Sequence, residues 1–174
     1  MHAHRAETHD LAFAVYVRQN KLPLALRSVK RAFAADADDF AARRNVVHLA
    51  SLLSASDPAD RLAQVVVKGL EALIGEPLDA GSLTKYVDAM LADAGSPNDA
   101  AAAAEAAYFA KHALGAEATA ARVANVVARV TLDGVSVKQC ISALARVRAV
   151  DAAAGEALRV KCASVFPRGE AFKA

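Results

Sequence analysis

The sequence holds no tryptophan, and only 5% of its residues are aromatic. A core built around large rings is excluded, so the interior must be Leu, Val and Ala at close helix spacing. Cysteine is scarce too. Cys140 and Cys162 are too few for a disulfide framework, and neither has CxxC spacing, which argues against a metal site. Both stand among apolar residues of expected helices and should behave as small hydrophobes. No run of about 18 apolar residues exists, so no membrane span is expected. His2, His4, Arg5 and Glu7 precede only a short apolar stretch, which is not a signal-peptide pattern; a soluble, cytoplasmic chain is the expectation. Glycines come singly at loop positions, and the sequence lacks a P-loop, a nucleophile elbow and a zinc-ligand pair.

What is abundant is alanine, which supplies 45 of the 174 residues. Alanine has the highest helix propensity and loses no side-chain entropy on folding, so composition alone favours an all-α fold. The length suits one domain, residues 1–174, able to bury most of its apolar surface. Net charge is +2 but uneven: residues 1–50 carry +3, residues 51–135 carry −5 and residues 136–174 carry +4. Basic ends around an acidic middle would suit an anionic partner at either end, while solvated helix faces account for most of these charges more simply.

Apolar residues recur at the helical period throughout, and no stretch of five or more alternates like a strand. The spacing predicts helices over Leu11–Gln19, Leu24–Ala35 and Phe40–Ser54. A fourth should start at the cap Ser56-Asp57-Pro58 and carry Leu62, Val65, Val66, Leu70, Leu73 and Ile74 before the stop at Gly75. Ser82 is expected to cap a fifth over Leu83–Ala94. Gly95-Ser96-Pro97-Asn98 is the clearest break and a candidate sub-boundary. The helix Asp99–Leu114 opens on five alanines, with Tyr108 and Phe109 giving its end a buried face. Ala116–Leu132, Ser136–Ala149 with Val137, Ile141, Leu144 and Val147 inward, and Asp151–Phe166 complete about nine helices, as in stacked antiparallel hairpins.

Residues 8–39 pack the most information. An amphipathic helix, the turn Asn20-Lys21-Leu22-Pro23, a second amphipathic helix and an acidic stop span about one 34-residue tetratricopeptide unit. Tyr16 stands at the large aromatic position, and Ala25 and Ala32 at the small positions where the helices approach. Phe13 departs from the pattern where a small residue is usual, as does Ala37 where proline is usual. A TPR-like α-solenoid segment is the expected architecture, and such units hold other proteins.

Leu11 to Asp36, above all Ser28-Val29-Lys30-Arg31-Ala32-Phe33-Ala34, resembles a segment near the C-terminal end of the large auxiliary subunit of the N-terminal acetyltransferase A complex. Ala103–Leu114, with Tyr108 and Phe109, is similar to that family's Ala-rich helix. Cys140–Phe172, with Lys161-Cys162-Ala163-Ser164-Val165-Phe166-Pro167 and Ala171-Phe172, is similar to its C-terminal helices. Ser54–Gly95 does not align. The resemblance implies a non-catalytic subunit that places a catalytic acetyltransferase chain beside the ribosome, with this chain covering the C-terminal portion of a much longer protein. Truncation of that kind would leave Leu11, Phe13 or Val17 in an exposed apolar patch open to self-association.

No acetyl-CoA loop of the Arg/Gln-x-x-Gly-x-Gly/Ala type is present, and no catalytic residue, metal ligand or cofactor is assigned. His2, His4 and His9 read as a terminus, since a metal needs ligands held on rigid elements. His48 and His112 stand alone on different helices. Asp36, Asp38 and Asp39 are expected to cap the next helix. The partner-binding candidates are Arg27, Lys30 and Arg31, spaced i, i+3, i+4 on one helix face, with Lys21, Arg43 and Arg44; ribosomal RNA would suit such a face, while an ordinary solvated helix face is the simpler reading of the same charges. The alternative is a free-standing TPR-like adaptor that takes a peptide or partner helix in its concave face.

Overall fold

The computed structural model describes residues 3–57 and 59–173, with side chains from Thr8 onward. His2 and Pro58 lie outside the described residues, as does the side chain of His4. Among the described residues there is no strand, and the chain is all-α, built of packed helical hairpins as its composition requires. Its helices are α1 (Ala3–Arg18), α2 (Leu22–Ala35), α3 (Phe40–Leu53), α4 (Arg61–Ile74), α5 (Ala80–Asp93), α6 (Pro97–Phe109), α7 (Lys111–Leu114), α8 (Ala116–Arg129), α9 (Val137–Val150) and α10 (Ala152–Val165). A 3₁₀ turn, Glu170–Phe172, follows. The expected helix Asp99–Leu114 is two elements, because the backbone breaks at Ala110. The chain divides into two compact units, residues 1–86 and 87–174; the division falls within α5, and the Gly95–Asn98 turn lies inside the second unit.

In the first unit α2 packs against α1, α3 and α4. The α1–α2 turn closes through Lys21 N–H donating to the Tyr16 carbonyl at 2.8 Å, with Asn20 in the left-handed region at φ 54°. Asparagine tolerates that conformation better than most residues. Ala25 is 0% and Ala32 4% exposed, so both small residues are buried where α2 meets its neighbours. Phe13 is buried as well, edge-on to His48 at 5.7 Å. The second crossing of α2 depends on Gly69 of α4: a Cβ there would lie 2.3 Å from Leu26 Cδ2. α1 and α3 are tied by a polar link. Asn45, 2% exposed, donates its side-chain amide to Asp10 at 2.8 Å, and Arg44 donates to the Asn45 side-chain Oδ1 at 2.8 Å and to Asp10 at 2.5 Å.

The second unit is built on α6, which packs against α8 and α9, with α10 against the same two helices. Ala100 to Ala104, Ala106 and Ala107 are all buried, so the alanine run is the core of the unit. A bidentate pair crosses from α9 to α6: Arg146 Nε and Nη2 donate to the two Glu105 carboxylate oxygens at 2.8 and 2.7 Å. Lys161 of α10 donates to the carbonyls of Val127, Ala128 and Val130 at 3.1, 2.6 and 2.8 Å, capping the C-terminus of α8.

Several caps and faces differ from the sequence reading. Asp39 caps α3 as expected, accepting from Ala42 N–H at 3.0 Å. The cap of α4 is Asp60, not Ser56 or Asp57, and it accepts from Leu62 N–H at 2.8 Å. Helix α5 starts three residues early, with Asp79 accepting from Ser82 N–H at 2.7 Å while Ser82 lies within the helix. That bond holds the Asp79 carboxyl below the usual carboxylate range. Gly75 ends α4 at φ 81°, as its position predicts. Leu62 and Val65 are exposed, because the side of α4 that meets α2 carries Ala63, Val66, Gly69 and Leu70. On α9 the buried line is Cys140, Ala143, Leu144 and Val147, leaving Val137 and Ile141 outside. Tyr108 is also exposed, with the Lys111 ammonium 4.4 Å from its ring centre.

Candidate functional site

Helix α2 forms where its sequence allows: Pro23 falls in the first turn, where its missing N–H is no loss, and the extended backbone of Asp36 ends it. Its buried side is Ala25, Leu26, Ser28, Val29 and Ala32, which leaves Arg27, Lys30 and Arg31 together on the exposed side. Lys21, at the N-terminal end of the same helix, is exposed too. Among the described residues none of these four cations has a salt-bridge partner. A cluster of like charges on one helical face, unmatched by carboxylates, repels itself and gains by meeting an anion.

The other two basic candidates are placed differently. Arg44 is engaged with Asp10 and Asn45 between α1 and α3. Arg43 is half-buried, its guanidinium 5.2 Å from the Phe40 ring centre and 5.8 Å from that of Tyr86. Burial pushes the Tyr86 hydroxyl up to about 12, against the pull of Arg43. Nothing in the spacing of Arg43 and Arg44 marks these attachments, since Asp10 is 34 residues away from Arg44.

Exposed aliphatic side chains accompany the basic face. On α1, Leu11 is 69% and Val15 47% exposed, whereas Phe13 is 3% exposed and Val17 is half-buried. Leu24, at the start of α2, is 38% exposed. Leu11 and Val15 are one turn apart and so share a side of their helix.

The described residues offer little reactive chemistry. None of them forms a group of three or more His, Cys, Asp or Glu side chains that could hold a metal ion. His112 is exposed and His48 packs against Phe13. Cys140 and Cys162 are free and fully buried, and burial, with Cys140 alongside, pushes the Cys162 thiol up to about 12. A thiol so placed is a poor nucleophile at neutral pH. No described helix is long and apolar enough to cross a membrane.

Two concave surfaces among the described residues are open furrows. A furrow of about 660 Å³ between α8 and α10 has an alanine floor, and its Asp151 and Lys161 are engaged in capping. A smaller pocket of about 400 Å³, lined by Val137, Val165, Phe166, Pro167, Arg168 and Gly169, opens where α9 begins and α10 ends. Sequence reasoning missed it, because Val137 reads as a core position. No family model matches the chain, and no curated protein matches it.

Proposed function

We propose that the chain is a non-catalytic docking subunit, the C-terminal part of an N-terminal acetyltransferase auxiliary subunit, that holds a catalytic acetyltransferase chain at the ribosome in the cytoplasm. The observation that carries this reading is the α1–α2 hairpin. Ala25 and Ala32 are buried at tetratricopeptide-like spacing, while Arg27, Lys30 and Arg31 stand exposed and, among the described residues, without carboxylate partners. The likeness of Leu11–Asp36 to the auxiliary-subunit segment supports the same reading. The mechanism is positional. A helical docking surface keeps a catalytic chain and an emerging peptide near each other, raising effective concentration without supplying a reacting group. Ribosomal RNA is a dense phosphate surface, and each Lys or Arg that meets a phosphate releases counterions, so the contact weakens steeply with salt.

The test is ribosome cosedimentation at low salt, with the Arg27→Ala, Lys30→Ala, Arg31→Ala triple variant beside the parent. All three positions are exposed, so the fold should survive. Unchanged cosedimentation refutes the RNA contact. Recovery of an acetyltransferase catalytic subunit with tagged chain supports the larger reading, and acetyl transfer by purified chain alone refutes its non-catalytic part. A free-standing TPR-like adaptor is the second reading, favoured by exposed Leu11 and Val15, which suit a partner helix or self-association.

A further inference from the structure

The pocket at the start of α9 has three properties that belong together. Its walls are apolar: Val137 and Val165 remain 39% and 49% exposed, and Phe166 and Pro167 complete the lining. Ile141, 42% exposed and one turn beyond Val137 on α9, extends the same apolar strip. Exposed aliphatic groups around a concavity mark a binding surface more often than scattered ones do.

Its edge is cationic. Arg168 lines the pocket and Lys138 follows Val137 in the first turn of α9; both are exposed. The neighbouring cations are engaged elsewhere: Arg146 with Glu105, Arg148 and Arg159 with Glu156, Lys173 with Glu170, and Lys161 with the end of α8. Lys138 and Arg168 alone among the basic residues of 136–173 have no such partner among the described residues. The positive end of the α9 dipole lies at the same place, since Val137 is the first residue of that helix.

We propose that this pocket takes one apolar side chain of an acidic peptide segment in a partner protein, with Lys138 and Arg168 pairing with the carboxylates on either side of it. The volume, about 400 Å³, lies near the lower end of ligand pockets, which begin at about 300 Å³, so it suits one large side chain and not a whole helix. Nucleic acid would use the two cations but leave Val137, Ile141 and Val165 without a role. The proposal does not depend on the acetyltransferase reading, and its failure leaves the test of Arg27, Lys30 and Arg31 unaffected.

The experiment is fluorescence polarisation of a labelled nine-residue peptide, a central Phe flanked by Asp and Glu, titrated with the full chain. Saturable binding is expected. Val137→Asp should weaken it by about tenfold or more, as should Lys138→Glu with Arg168→Glu, because each sets like charge against the peptide. Acidic residues at positions 137 and 138 lie in the first turn of α9 and favour the helix, and Arg168 is exposed beyond α10, so folding is not the cause of such a loss, and an unchanged melting temperature verifies this. A peptide with Ser in place of Phe should bind about tenfold more weakly or worse. The proposal is overturned if the parent chain shows no saturable binding, if the variants bind as the parent does, or if the Ser peptide matches the Phe peptide. Tighter binding of a single-stranded RNA decamer, lost in the same variants, would also overturn it in favour of nucleic acid.

Discussion

Gly155→Ala offers a substitution in which two effects of opposite sign compete and the structure decides between them. Gly155 lies in α10, and helix propensity alone favours alanine there by up to about 1 kcal/mol. Against this, a Cβ at Gly155 would sit 2.3 Å from Arg148 Cγ, 2.9 Å from Arg148 Cα and 3.1 Å from Arg148 Cβ. Carbon atoms prefer separations of about 3.5–4.0 Å. The Arg148 side chain can turn aside, but its Cα cannot, so α9 and α10 must part by roughly half an ångström or more. Only Asp151 joins the two helices, and its carboxylate caps α10 at Ala154 N–H, 2.8 Å away, so the joint has little slack. Overpacking of this kind costs about 1–3 kcal/mol, and a backbone clash belongs toward the upper end. The net expectation is a loss of about 1–2 kcal/mol, a fall in melting temperature of roughly 3–6 °C for a chain of this size. Urea unfolding followed by far-UV circular dichroism measures it. Gly95→Ala, which meets nothing within 4 Å, serves as the control and should stay within about 0.5 kcal/mol of the parent. A Gly155→Ala chain as stable as the parent, or more so, would refute the argument from close approach.

Further expectations concern protons, thiols and one cap. The Tyr86 phenol is raised from 10.0 to about 12 on folding, so its neutral form stabilises the fold fully below pH 10, and that contribution, of order 2 kcal/mol, is lost between pH 10 and 12. Absorbance at 295 nm should show one late-titrating tyrosine that Tyr86→Phe removes, with a shallower fall of stability above pH 10; a parent and variant that titrate alike would refute this. Cys140 and Cys162 should both resist a disulfide-exchange reagent at neutral pH in the folded chain and react promptly in denaturant. Rapid native labelling would contradict their burial. Lys161→Met should lower stability by about 1–3 kcal/mol, because it leaves three carbonyls at the end of α8 without their donor; a smaller loss in denaturant titration would mean that water replaces the ammonium.

The helices were legible because their boundaries carry local chemistry. Gly75 and Asp39 mark ends that their residue types announce, whereas the capping boxes at Ser96 and Ser136 emerge only in the structure, which starts α6 at Pro97 and not at Asp99. The cap of α4 was misplaced because Ser56-Asp57-Pro58 satisfies the same rules as Asp60, and only tertiary packing chooses between them. The inward face was harder. Where Leu and Val compete with Ala, hydrophobicity assigns the larger residue to the core; close packing against a neighbour assigns the smaller. Thus Cys140 and Ala143 went inside while Val137 and Ile141 stayed out, and Leu62 and Val65 gave way to Ala63 and Gly69. The α2 basic face was readable from its i, i+3, i+4 spacing, since α2 is a regular helix with one buried side. Arg44 was not, because its partner Asp10 comes from another helix. The pocket beside Val137 escaped notice for the same reason as the inverted α9 face: it exists only because that residue is outside.

Helix α6 has little latitude for change. At seven of its thirteen positions the side chain is a single buried methyl group, and the neighbouring helices have come to rest against it. Any enlargement there must push α8 or α9 outward, while removal of the methyl loosens the helix itself. Damage at such a position has no local remedy: a second substitution that restores the fit must lie on the opposing helix, so the three segments are bound to vary together or not at all.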